Sequence, residues 1–191
     1  NSEHSFPTRR SSDLINAIFF SEYGKRVLPS AAGRTTMCPT ELMYDPAIPP
    51  SVRLLPIETR ASDASLSELR GEAEVWHEIP VIPGDADSVA EAFAAVRETR
   101  RVPQEEATAL GLYDADDEDS PVQPDAQGEV EIPRWRHAIA NIPDPLLEMG
   151  LVVIDTPGLN AIGNEPELTL NLIPSADAVL FVLAADAGVT R

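Results

Sequence analysis

The chain has 191 residues, 43% of them hydrophobic, a formal net charge of −18 and a single cysteine, Cys38. That length supports one domain with a sizeable core. The acidity argues against binding nucleic acid or anionic lipid through a basic face, and one cysteine excludes an intramolecular disulfide. No apolar run approaches the ~20 residues of a membrane span, and the first residues lack signal-peptide character, so a soluble cytoplasmic protein is expected. Residues up to Arg60 are near neutral; most of the acidic excess lies between Asp63 and Glu131. His4, His77 and His137 are scattered without metal-ligand spacing.

Residues 1–14, NSEHSFPTRRSSDL, differ in character from the remainder of the chain. His4–Leu14 reads as a translated sequencing-library adapter, CGC TCT TCC GAT CT giving Arg10–Leu14, so residues 1–14 are taken as a non-native segment joined to a genuine reading frame at 15–191. A natural polar tail is the alternative.

Leu14, Ile15, Ile18 and Phe19 form the stripe of a helix packed on a core, ended by Gly24. Pro29–Gly33 is loop. Thr40–Tyr44 and Val52–Glu58 have strand character around the Pro-rich turn Asp45–Pro50. A long α+β insertion is expected over about 60–132. In it, Ser65 and Glu68 suit a capping box for a short helix ending near Gly71, and Trp76–Ile82 is extended. A second capping box, Ser88 with Glu91, is expected to open a helix to about Arg101, with Val89, Phe93 and Val96 inward and Arg97, Arg100 and Arg101 at its negative end. Asp114–Gln127 is an acidic solvated loop without EF-hand spacing. Val130–Ile142 is strand-like, Pro143–Gly150 a linker. Asn164 is placed to cap a helix, although Leu168, Leu170 and Leu172 alternate as in a strand; Ala178–Ala184 reads as a buried strand.

The run Leu151–Leu159, LVVIDTPGL, is read as the central feature: a strand buried on both faces of a parallel sheet, ending on Asp155 with Gly158 three residues later. Beyond a strand's carboxyl end an aspartate can hold the water shell of Mg²⁺, and a glycine lets its backbone N–H approach a phosphate. An ordinary Pro-Gly turn uses the same residues; the flanking sequence favours the nucleotide turn.

DTPG resembles the switch II DxxG of P-loop GTPases. With LINAIF, LPSAAGRTTMCPTEL and the stretch from Leu151 through AVLFVLAADAGVTR, the chain resembles the GTPase domain of bacterial dynamin-like proteins, closely at its flanks and loosely in the middle. The resemblance implies a three-layer α/β P-loop GTPase sheet with helices on both faces, incomplete at both ends. It also implies Thr36 as the switch I residue near Mg²⁺ and the γ-phosphate, Asp155 holding the Mg²⁺ hydration shell, and Thr156, Pro157 and Gly158 forming the phosphate-side turn. GTP, Mg²⁺, self-assembly and peripheral membrane association are implied by the same likeness. Thr36 lies 119 positions before Asp155, a spacing that favours dynamin-like proteins over GTPases of ribosome-assembly or septum-site type.

The phosphate loop GxxxxGK[ST] is absent. Aligning Leu14 with the leucine of GKSxLIN puts Ser5 and Arg10 at the loop glycines and Ser11 at the lysine; Ser12 alone agrees. Lys25 is the only lysine, and with Phe19 and Arg26 around it, it is not a displaced loop. Without that lysine and its anion nest, weak or no GTP binding is expected. No N/TKxD guanine motif is present, so guanine specificity rests on the likeness. The missing strand before the loop should leave the sheet with an unfilled position or exposed edge. Two readings stand: a partial GTPase domain whose parent hydrolyses GTP and remodels membranes, or a degenerate nucleotide-free interaction module.

Overall fold

A computed structural model describes residues 11–25, 27–28, 38–116, 123–156 and 176–180. Its centre is a five-stranded mixed sheet of β1 (Thr40–Met43), β2 (Ser51–Pro56), β3 (His77–Pro80), β6 (Trp135–Asn141) and β7 (Val153–Asp155), in the order β3-β2-β6-β1-β7. Only β1 and β6 are parallel; β1 with β7, β2 with β6 and β2 with β3 are antiparallel. A separate ribbon pairs β4 (Thr99–Pro103) with β5 (Glu129–Pro133).

The strand buried throughout is β6, WRHAIAN, and not the more apolar LVVID. Polar residues tolerate this position because each meets a specific surrounding. Asn141 accepts from Asp45 N at 2.7 Å and donates to the Ile48 carbonyl at 2.8 Å, stapling the turn between β1 and β2. Arg136 donates to the carbonyls of Thr59 at 2.8 Å and Ala64 at 3.3 Å. The register slips beside it, Leu55 facing His137 and Pro56 facing Trp135, so Arg136 is the extra residue of a bulge.

The expected central strand is corrected accordingly. β7 has three half-buried residues, is antiparallel to β1, and has a strand neighbour on one side only among the described residues. Leu151 and Val152 before it are 44% and 49% exposed. An apolar run becomes a buried strand only when neighbours cover both faces and both edges. The same reason applies to Ala178–Leu180, expected in a buried strand: they carry no strand assignment and are exposed, Leu180 at 80%. Residues 181–184 of that run, and the expected helix at Asn164, lie outside the described residues.

Helical segments lie on both faces. On one, α1 (Ser11–Phe19) contributes Ile15 and Phe19, α3 (Ala86–Ala95) contributes Val89, Ala92 and Phe93, and α5 (Pro145–Glu148) contributes Leu147. They join Leu42, Val52, Leu54, Ala138 and Ala140 of the sheet in the main core. On the other, α2 (Leu66–Arg70) and a 3-10 turn (Ala73–Val75) cover Leu55 and Ile139 with Leu69 and Trp76. A third cluster around Val102, Ala107, Val130 and Ile132 joins the ribbon to α4 (Gln104–Ala109). The stretch expected as an insertion thus supplies β3 and α3 to the main sheet and core, besides the ribbon.

Local expectations fared unevenly. The capping box of α2 is present, Ser65 Oγ accepting from Glu68 N at 3.3 Å and Glu68 Oε2 accepting from Ser65 N at 2.8 Å, and Gly71 comes next. In α1 the stripe is narrower than expected: Ile15 and Phe19 are buried, whereas Leu14 and Ile18 are 38% and 50% exposed, because only one side of the helix meets the core. The cap of α3 is Asp85, whose carboxylate accepts from Asp87 N and Ser88 N. Ser88 lies inside that helix and its Oγ accepts from Ile82 N at 2.9 Å. The helix ends at Ala95, so Arg97 lies beyond it and Arg100 and Arg101 stand in β4, opposite Ile132 and Glu131 of β5. Arg100 meets Glu58 and Glu106; Arg101 meets Asp125. The expected strand 130–142 divides at Arg134 into β5 and β6, and the expected linker 143–150 contains α5, capped by Asp144.

Candidate functional site

β1 runs Thr-Glu-Leu-Met and β7 Val-Ile-Asp, short strands with alternating contacts to the two faces. Their antiparallel pairing sets Thr40 opposite Asp155, Glu41 opposite Ile154 and Leu42 opposite Val153. The end of β1 where the chain enters from Thr36 therefore lies beside the end of β7 where it leaves towards Gly158. The parallel β6 begins at that same end, Ala138 pairing with Thr40.

Of the residues expected in the site, Asp155 is half-buried at the last position of β7 and Thr156 is exposed immediately after it. Thr36, Pro157 and Gly158 lie outside the described residues. Thr40 is buried and its hydroxyl is 3.4 Å from the Cys38 carbonyl. Cys38 itself is buried, its Sγ 3.8 Å from the Val96 carbonyl. No group of three or more metal-ligating side chains occurs among the described residues. Mg²⁺ in nucleotide sites takes one or two protein oxygens and fills the rest of its shell with phosphate and water. A carboxylate at the end of a strand, as Asp155 is, fits that donor chemistry.

A second constellation was not read from the sequence. Glu41, 5% exposed in the middle of the sheet, receives two bonds from Arg70 of α2: Nη1 to Oε1 at 3.0 Å and Nη2 to Oε2 at 2.5 Å. His137, 1% exposed, places Nε2 3.6 Å from the same Oε2. Burial would raise the Glu41 pKa, but the neighbouring His137 and the Arg70 pair outweigh it and hold the carboxyl down at about 2. Trp76 stands edge-on to His137 with ring centroids 6.5 Å apart and donates Nε1–H to the Leu69 carbonyl at 2.8 Å. Arg53 lies 5.5 Å from the centre of the Trp76 ring. The available signal was the alternation of Thr-Glu-Leu-Met, which puts Glu41 on the face opposite Leu42; nothing local names Arg70, 29 positions away, as its partner.

A mixed sheet clad with helices on both faces is an α/β architecture. Its lineage is defined by the family model of the dynamin family, which matches residues 12–191, and the chain belongs to that family. No curated protein and no solved structure matches the chain. Membership makes this a dynamin-family GTPase domain of the P-loop GTPase fold, a family that in general binds GTP with Mg²⁺ and self-assembles. The alternative of a ribosome-assembly or septum-site GTPase is thereby set aside. No helix among the described residues is long and apolar enough to cross a membrane.

Proposed function

We propose that the chain is a partial GTPase domain of a bacterial dynamin-like protein whose parent hydrolyses GTP with Mg²⁺ and couples the cycle to assembly and membrane remodelling. The observation that carries the reading is the pairing of Thr40 with Asp155, which brings the entry from Thr36 and the exit towards Gly158 to one end of the sheet. In this reading Asp155 holds the water shell of the metal, Thr36 senses the γ-phosphate, and Thr156, Pro157 and Gly158 form the turn that responds to hydrolysis. When bound, Mg²⁺ neutralises charge on the β- and γ-phosphates. The protein's part is positioning: the antiparallel pairing of β1 with β7 holds Thr40 opposite Asp155.

The chain as given is proposed to bind GTP poorly, since Arg10 and Ser11 occupy the positions of the second loop glycine and the lysine. The same residues favour a second reading, a degenerate member acting as an interaction module. We read residues 1–14 as a joined adapter, although α1 begins at Ser11 and the family match at Ser12. Amplifying the locus and sequencing through the codons for Asn1–Asn16 separates the readings. Codons for a strand and GxxxxGKS would support the GTPase parent. Native codons for HSFPTRRSSDL would remove the artefact and favour the degenerate member.

A further inference from the structure

β1 has four residues and β7 three, and the run preceding Asp155 is apolar at every position, so hydrophobic patterning specifies their placement weakly. One residue in this part of the sheet does distinguish the faces. Glu41 points to the side covered by α2, whereas Leu42 belongs to the main core with Val52, Leu54 and Ala138. A one-residue slip of β1 along β6 would carry the Glu41 carboxylate into that apolar core and take Thr40 away from Ala138.

An ion pair with a buried carboxylate is a costly way to stabilise a sheet, because desolvation of Glu41 offsets much of its attraction to Arg70, whose side chain is 43% exposed. Glu41 and Arg70 nevertheless meet in the bidentate geometry that best fixes direction as well as distance. The partner is also firmly seated. Arg70 closes a five-residue helix that is capped at Ser65, anchored by buried Leu69 and tied by Trp76 to the Leu69 carbonyl. Arg136 fastens the stretch before it by donating to Thr59 and Ala64. His137, from the bulged part of β6, places Nε2 3.6 Å from the same carboxylate.

We infer that Arg70 and Glu41 are positioning residues, a clasp from the middle region of the chain that sets the register of β1 and thereby the place of Thr40 opposite Asp155, at the end of the sheet that the proposed function assigns to the switches. This rests on the reading of Thr36 and Asp155 given above. The clasp acts through β1, in which Glu41 follows Thr40.

The test compares the full chain with Arg70→Ala, Arg70→Lys and the apolar double variant Glu41→Leu/Arg70→Met. Amide exchange is measured without nucleotide, and the affinities for a non-hydrolysable GTP analogue and for GDP are measured with Mg²⁺ in the same domain carrying a GxxxxGKS loop. Arg70→Ala is expected to speed exchange at Glu41 and Leu42 by about tenfold, leaving Ala138, Ala140 and the amides of α3 unchanged, with Arg70→Lys recovering part of the loss. The double variant should melt no lower than the parent yet lose affinity for the GTP analogue by about tenfold and none for GDP. Exchange that rises equally everywhere, or nowhere, overturns the clasp. So does a double variant that keeps both its melting temperature and its preference for the GTP analogue. If exchange responds as expected while the domain with the loop binds no nucleotide at all, the GTPase reading fails, and with it the link to the switch, whereas the register role of Glu41 stands.

Discussion

Asp155, the last residue of β7, stands directly across from Thr40, the first residue of β1. Any ligand held by Asp155 is therefore held next to the start of β1. Replacing Asp155 with Asn removes the charge from this strand end while keeping the size of the side chain. In a domain with a complete phosphate loop, the same change should abolish the Mg²⁺ dependence of GTP-analogue binding. A titration with and without the metal checks this; retained Mg²⁺ dependence would place the metal elsewhere.

For the chain as given, a fluorescent GTP analogue is expected to show no saturable, Mg²⁺-dependent binding in the micromolar range. The reason is Ser5, Arg10 and Ser11 at positions where the family places two glycines and a lysine. Tight binding would mean that some other group supplies the anion nest.

Acid should unfold the protein partly through Glu41. Its carboxyl falls from 4.5 to about 2 on folding, so the ionised form is favoured in the native state. The stabilisation is complete above pH 4.5 and is lost as pH falls from 4.5 towards 2, amounting to about 3 kcal/mol. Urea unfolding across that window should show the slope, and Glu41→Gln should flatten it. An unchanged slope in the variant would assign the acid sensitivity to other carboxylates.

Phe93 is 3% exposed and meets Phe20 edge-to-face at 5.7 Å, joining α3 to the turn after α1. Truncating it to Ala should cost about 3–5 kcal/mol, read as a drop in the urea midpoint. A loss below about 1 kcal/mol would mean that this side of the core can collapse around the gap.

The cap of α3 gives a sharper comparison. Asp85→Ala should cost about 1 kcal/mol by freeing the amides of Asp87 and Ser88. Ser88→Ala removes only the bond accepted from Ile82 N and should cost less, the reverse of what a Ser88–Glu91 capping box requires. Thermal melts of the two variants decide the order.

What could be read from the sequence was local. Ser65 and Glu68 announce a capping box because both partners sit three residues apart, and the Pro-rich turn at 45–50 separates β1 from β2 for equally local reasons. Asp155 at the end of a strand was legible too, since the change from apolar to turn residues marks the boundary. Strand placement was not. Leu151–Ile154 looked like the sheet's centre by hydropathy, whereas Trp135–Asn141 holds the fully buried position through bonds from Arg136 and Asn141 to partners 72 or more positions away. Burial of a polar strand depends on those distant partners, and nothing within the strand announces them. Ser88 misled for a related reason: Asp85 offered its carboxylate to the same helix end three residues earlier.

Between Pro133 and Trp135 the chain leaves the two-stranded ribbon and enters the main sheet with Arg134 alone as the joint. Both of its backbone groups are engaged, its N–H donating to the Glu98 carbonyl at 2.9 Å and its own carbonyl accepting from Ile57 N at 3.0 Å. Such a joint has no slack. The ribbon and the innermost strand of the domain are thus joined without an intervening loop, with Arg136 and His137 only two and three residues beyond Arg134.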